Sequence, residues 1–167
     1  LARQGAGPVV IDFALTDPVV YADALESLEL SLVQDTDGGA VWPVTWPVVW
    51  GASSVARQGL VFVDGDARVP FRVVVVGPVT GQCSDITVTG PGWAVDVPGP
   101  VAFDEQLVVD TRSMTATIGG RHGVELSRRT RLNARLAPGQ SELTFSCADA
   151  TRTATATVSW RPGWHSL

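Results

Sequence analysis

From residue 59 to 164 the chain is a succession of short apolar runs: LVFV, VPFRVVVV, DITVTG, AVDV, QLVVDT, MTATIGG, ELTFSC and TATATVSW. Pro, Gly, Asn or Asp punctuates nearly every gap between them. Runs of this length and spacing, with almost no helical periodicity, predict an all-β fold, an antiparallel sandwich or barrel. Period-two alternation then sets Leu107 and Val109 on the face opposite to Val108 and Asp110. Residues 19–25 and 124–129 are the places where a short helix could still interrupt the pattern. Such a fold carries no chemistry of its own, so function has to be argued from sites or from assembly.

With 167 residues the chain is long enough to bury a substantial core. Its net charge of −5 argues against a sequence-independent grip on nucleic-acid phosphates. All 12 basic residues are Arg, which points to a high-GC coding background rather than to selection for arginine chemistry. No apolar run approaches the roughly 20 residues of a membrane-spanning helix, and residues 1–20 do not read as a secretory signal. The chain does not begin with Met, and the expectation is a piece of a longer protein.

Upstream of the strand-rich region, VVIDFAL (9–15) reads as a strand, Asp17-Pro18 as a turn, and VVYADAL (19–25) as ambiguous. In ESLELSLV (26–33), Leu28, Leu30 and Leu32 alternate with Glu29 and Ser31, the signature of a strand with one wet face. QDTDGG (34–39) reads as a loop. The connector VWPVTWPVVWG (41–51) is extended, because Pro43 and Pro47 exclude the α region for the residues before them. At period two, Trp42, Trp46 and Trp50 share one face of this strap. Three indoles so placed could staple the strap to its own domain, clamp a neighbouring subunit or stack on a sugar.

No catalytic constellation is legible. His122 and His165 lack a partner at metal-ligand spacing, and no nucleophile elbow or phosphate-cradling loop is present. Asp64-Gly65-Asp66 lacks the further acidic residues of a calcium loop and reads as a hairpin turn. Asp104 and Glu105 are adjacent and so poorly placed for a paired acid and base. Arg128, Arg129, Arg131 and Arg135 read as a solvated face or a subunit contact. The expectation is therefore no enzyme, no cofactor and no metal. Cys147 should point inward with Leu143 and Phe145 as a small hydrophobe, and a Cys83–Cys147 disulfide depends on geometry that the sequence does not give.

The order of several motifs resembles the distal tail proteins of long-tailed bacteriophages, in the version found among actinobacterial phages and prophages. VFVDGDARVPFRVVVVGPVTG (61–81) resembles that family's opening strand pair. QLVVDT (106–111) resembles its strand ending in Val-Asp-Thr that turns into a second strand. LAPGQSELTF (136–145) resembles a Leu-x-Pro-Gly hairpin, with Ser141 where Asn is commoner. TATATVSWRPGW (153–164) resembles the terminal strand, and IDFALTDPVVYA (11–22) a strand, Asp-Pro, x-x-Tyr segment near the end of the family's first domain.

The resemblance implies the end of a ring-forming, tail-tube-like domain over residues 1–40, the Trp/Pro connector over 41–56, and a galectin-like jelly-roll sandwich over 57–167. It implies a homo-oligomeric, usually hexameric ring in the virion tail tip, with the tail tube and tail-tip or tape-measure-associated proteins as partners. It brings no catalytic residue. It also implies that residues 1–40 are ordered only against the rest of a ring domain or a neighbouring subunit. The alternative is a carbohydrate-binding module that recognises a host-surface or substrate glycan, for which Trp93 in GPGWAVDV is the candidate platform; otherwise Trp93 caps one end of the core.

Overall fold

The computed structural model describes residues 17–32 and 58–165. Their strands, in chain order, are β1 (Val19–Tyr21), β2 (Glu26–Ser31), β3 (Gln58–Val63), β4 (Phe71–Val76), β5 (Gln82–Gly90) and β6 (Trp93–Val97). They continue with β7 (Val101–Ala102), β8 (Gln106–Asp110), β9 (Thr115–Ile118), β10 (Gly139–Ala148), β11 (Thr155–Trp160) and β12 (Gly163–His165). One five-stranded sheet runs β3-β10-β5-β6, with β7 also on β5; the other runs β2-β11-β4-β8-β9. Every ladder is antiparallel, and β1 and β12 form a separate two-stranded ribbon. The described residues contain no helix, and 19–25 and 124–129 are respectively strand with turn and irregular chain.

Alternation places the core between the sheets. From one sheet Leu30, Val73, Val75, Leu107, Val109, Ala156 and Val158 point inward and are fully buried; from the other Val61, Ile86, Val88, Val95, Leu143 and Phe145 meet them. Val108 and Asp110 stay on the outer face of β8, as period two requires. Each fully buried Val, Leu, Ile or Phe side chain contributes about 1.5–3 kcal/mol of transfer free energy, so this layer is the main source of stability. In β2, Leu30 is buried while Ser27 and Glu29 are exposed, which is the half-wet strand its sequence predicts.

The strand pairing moves an expected boundary. Residues 1–40 were to stand apart from the sandwich, but β2 is hydrogen-bonded along its whole length to β11, with Leu30 opposite Ala156 and Leu28 opposite Val158. The ribbon is likewise internal to the chain, with Tyr21 opposite Gly163. Residues 17–32 are therefore paired within this chain's own sandwich and ribbon. The physical reason is that the inward face of β2 completes the core over β11.

Two local expectations also change. The chain crosses between sheets from β3 to β4, so the two strands of 61–81 are present but do not pair with each other, and Asp64-Gly65-Asp66 is a crossover rather than a hairpin. Gly65 docks on Gly163, where a Cβ would lie 2.1 Å from the Gly163 carbonyl oxygen, and Gly163 O accepts from the amides of Asp66 and Ala67. The stretch 136–145 is not a hairpin either: Leu136 bridges to Val69, and β10 then pairs with β3 and β5. By contrast Val-Asp-Thr does turn from β8 into β9, with the Asp110 carboxylate accepting from the amides of Arg112 and Ser113. Thr111, buried at the start of that turn, ties it to β4 by accepting from the Phe71 amide at 2.8 Å and donating to the Phe71 carbonyl at 2.9 Å.

The long connection from β9 to β10 covers the edge of β6. Thr130 donates to the Asp96 carbonyl at 2.6 Å and accepts from the Asp96 amide, and the Arg131 amide donates to Ala94 O at 3.0 Å. A covered edge cannot recruit another strand. Arg128, Arg129 and Arg131 sit exposed on this cover.

Candidate functional site

The polar features converge at the end of the sandwich where β1 meets β12. Asp17 accepts from the Val19 amide at 3.1 Å with one oxygen and from the Tyr21 hydroxyl at 2.9 Å with the other. The Asp-Pro-x-x-Tyr sequence is thus a closed local loop that starts β1 and fixes the Tyr21 ring. The Tyr21 hydrogen bond, followed by the Val19 amide and the nearby Arg112 and Arg135 charges, holds the Asp17 carboxyl below the ordinary carboxylate value. Burial, then the bond to ionised Asp17, pushes the Tyr21 phenol above its ordinary value. Both shifts favour the same state, a charged Asp17 accepting from a neutral Tyr21.

Arginines surround this ring. The Arg112 guanidinium carbon lies 5.0 Å from the Tyr21 ring centroid, a cation–π contact held by the Asp110 turn. Arg161 reaches across β1 to donate to the carbonyls of Ala22 and Asp23. The outcome is a groove of about 220 Å³ lined by Tyr21, Leu25, Arg72, Asp110, Arg112 and Arg161. It has one aromatic wall, an apolar corner, several fixed donors and one carboxylate, which is the chemistry that binds a polyhydroxylated or acidic small ligand. Trp160 also lines it, and its indole Nε1–H is buried with no acceptor among the described residues.

On the other side of β1 a wider depression of about 610 Å³ is bordered by Asp17, Asp66, Arg68, Arg135, Pro138 and His165. Asp66 accepts from the His165 amide at 2.8 Å, so this aspartate fastens β12. Arg135 belongs to this end of the molecule, where it borders the depression and its charge acts on Asp17 and Tyr21, apart from the other arginines of its sequence cluster.

Trp93 is not a platform. It is 8% exposed, and its ring packs on Phe71 with centroids 4.5 Å apart. A Cβ on Gly90, opposite Trp93 in the β5–β6 hairpin, would lie 2.5 Å from the indole, so the bare glycine is what lets the ring fold inward. The core-capping reading of Trp93 therefore replaces the sugar-platform reading. Trp42, Trp46 and Trp50 lie outside the described residues.

The remaining acidic and imidazole residues are structural or solvated. Glu105 pairs with Arg121 and accepts from the Ala102 amide, and adjacent Asp104 is exposed. His122 is exposed in its Gly-flanked turn. Among the described residues no group of three or more His, Cys, Asp or Glu is arranged to hold a metal ion. The Tyr21 groove was missed by sequence reasoning because its walls come from residues far apart in sequence; the Asp17-to-Tyr21 spacing was its only local signal. Comparison with known proteins gives no match to a protein-family model, a curated protein or a solved structure.

Proposed function

We propose that this chain is a structural component of a phage tail tip, part of a hub ring between the tail tube and the tip, with its sandwich as a peripheral galectin-like domain. The observation that carries this reading is the order of the motifs along the chain. It is supported by where their residues fall, since several of them fix strand ends and turns: Asp17 on Tyr21, Thr111 on Phe71, and the backbone of Gly163 against Gly65. A domain whose distinctive residues fix architecture suits an adaptor that has to hold one shape in a large assembly. The test is to purify particles from the bacterial source of this chain and identify their tail-tip proteins by peptide mass spectrometry. The chain should co-purify with the tail at constant stoichiometry; its absence from tails would reject the assignment.

The Tyr21 groove favours a second reading, a glycan-binding module. An aromatic wall beside fixed guanidinium groups recognises a saccharide through stacking and hydrogen bonds. A glycan array should then give hits that vanish in Arg112→Ala and persist in Trp93→Phe. An array with no hit, with the chain found in purified tails, supports the hub alone.

A further inference from the structure

We propose, resting on the glycan-binding reading, that the Tyr21 groove selects an acidic sugar and holds its carboxylate with Arg72 and Arg112. Strand register assembles the polar part of this groove. Ser159, Arg72 and Asp110 stand directly opposite one another on β11, β4 and β8, on the outer face of their sheet. All three line the groove, together with Tyr21, Arg112 and Arg161. Three guanidinium groups therefore meet one carboxylate there, in a chain whose net charge is −5. A site so rich in donors and positive charge is matched by an anion.

The donors are held in place without being used up. A cation–π contact pins Arg112 over the Tyr21 ring and occupies none of its N–H groups. The guanidinium groups of Arg112 and Arg72 make no hydrogen bond or ion pair among the described residues. Arg161 is fixed through Nη1 on the carbonyls of Ala22 and Asp23, with a loose ion pair of 3.9 Å to the exposed Asp23 carboxylate. Trp160, only 5% exposed, lines the same groove with an indole N–H that still lacks an acceptor among the described residues. On the accepting side, Asp110 takes the Arg112 and Ser113 amides on Oδ1, which leaves Oδ2 for a sugar hydroxyl. Leu25, 61% exposed, supplies an apolar contact for the C–H face of a sugar ring. A planar carboxylate fits the guanidinium fork with two parallel hydrogen bonds, and the Asp110 charge opposes a doubly charged phosphate more than a singly charged carboxylate. The volume of about 220 Å³ is below the roughly 300–1,000 Å³ of a drug-sized pocket, which suits one sugar unit.

The experiment probes an array of uronic-acid and sialic-acid glycans, each beside its carboxyl-reduced counterpart and beside neutral glycans, with the full chain, and measures the hits by titration calorimetry. An acid form should bind, and its reduced counterpart should bind at least about tenfold more weakly, because the charge-assisted hydrogen bonds are lost. Arg72→Gln and Arg112→Gln should each lower affinity for the acid form about tenfold. Both positions are exposed, so unchanged thermal unfolding separates lost binding from lost folding. Arg129→Gln removes the same charge from the exposed cover of β6 and should leave affinity unchanged. Equal binding of acid and reduced forms, or hits on neutral glycans alone, would overturn the proposal and leave the glycan reading standing. A loss in Arg129→Gln as large as in Arg112→Gln would assign binding to overall charge and overturn it as well. An array without any hit would overturn both the proposal and the glycan reading.

Discussion

At the residue scale, a few side chains decide how the ends of strands are held. The folded chain keeps the Asp17 carboxyl below its ordinary 3.8, so its contribution is fully present above that pH and is lost as pH falls through the lower folded value. Tyr21 runs the other way: held above 10.0, it contributes below that pH and loses its contribution as pH rises through the raised folded value. Protection of the Val19 and Ala22 amides, taken against the intrinsic exchange rate at each pH, should fall on acidification, and Asp17→Asn should remove that dependence; an unchanged dependence in the variant would assign the effect to other groups. Trp93 and Gly90 make a second unit. Gly90→Ala forces a methyl into the indole and should cost about 1–3 kcal/mol, while Trp93→Ala empties that end of the core and should cost about 3–5 kcal/mol. Urea denaturation measures both, and a near-neutral Gly90→Ala would show that the ring can move aside.

At the scale of elements, β2 is the strand that alters the domain map. Leu30 is fully buried opposite Ala156, so Leu30→Ala should lower stability by about 2–5 kcal/mol. A fragment starting at residue 57 should be less stable than the whole chain by at least as much, because it leaves the edge of β11 and the core beneath it open. A fragment of unchanged stability would restore the boundary at residue 40. The alternation in ESLELSLV told how β2 would lie, inward leucines against outward Glu29 and Ser27, but alternation carries no information on which strand it pairs with. For the same reason the strand-rich pattern from 59 to 164 predicted a sandwich, while the crossover at Asp64-Gly65-Asp66 was read as a hairpin. Both uses of Asp-Gly look alike until Gly163 is seen packed beneath Gly65. Trp93 was ambiguous because a Pro-Gly turn can present an indole or fold it inward. Gly90 tips it inward, and that is visible only once the register is known.

For the whole molecule, the antiparallel sandwich with its ribbon at one end is the frame on which function has to be built. One edge, at β6, is covered by the chain from Ser127 to Arg131, whereas β2 and β3 are the outermost strands on the other side of their sheets. On β3 the outward Leu60 and Phe62 are 63% and 64% exposed, which gives this side an apolar character that suits contact within an assembly. The hub proposal makes the assembly itself the decisive object. Electron cryo-microscopy of the particle that contains this chain, purified from its natural source, measures its symmetry and position directly. The account predicts a closed ring at the tail tip, six-fold or commensurate with six, with this sandwich on its periphery. A monomer in the assembled tail, or a ring whose symmetry does not match six, would contradict it.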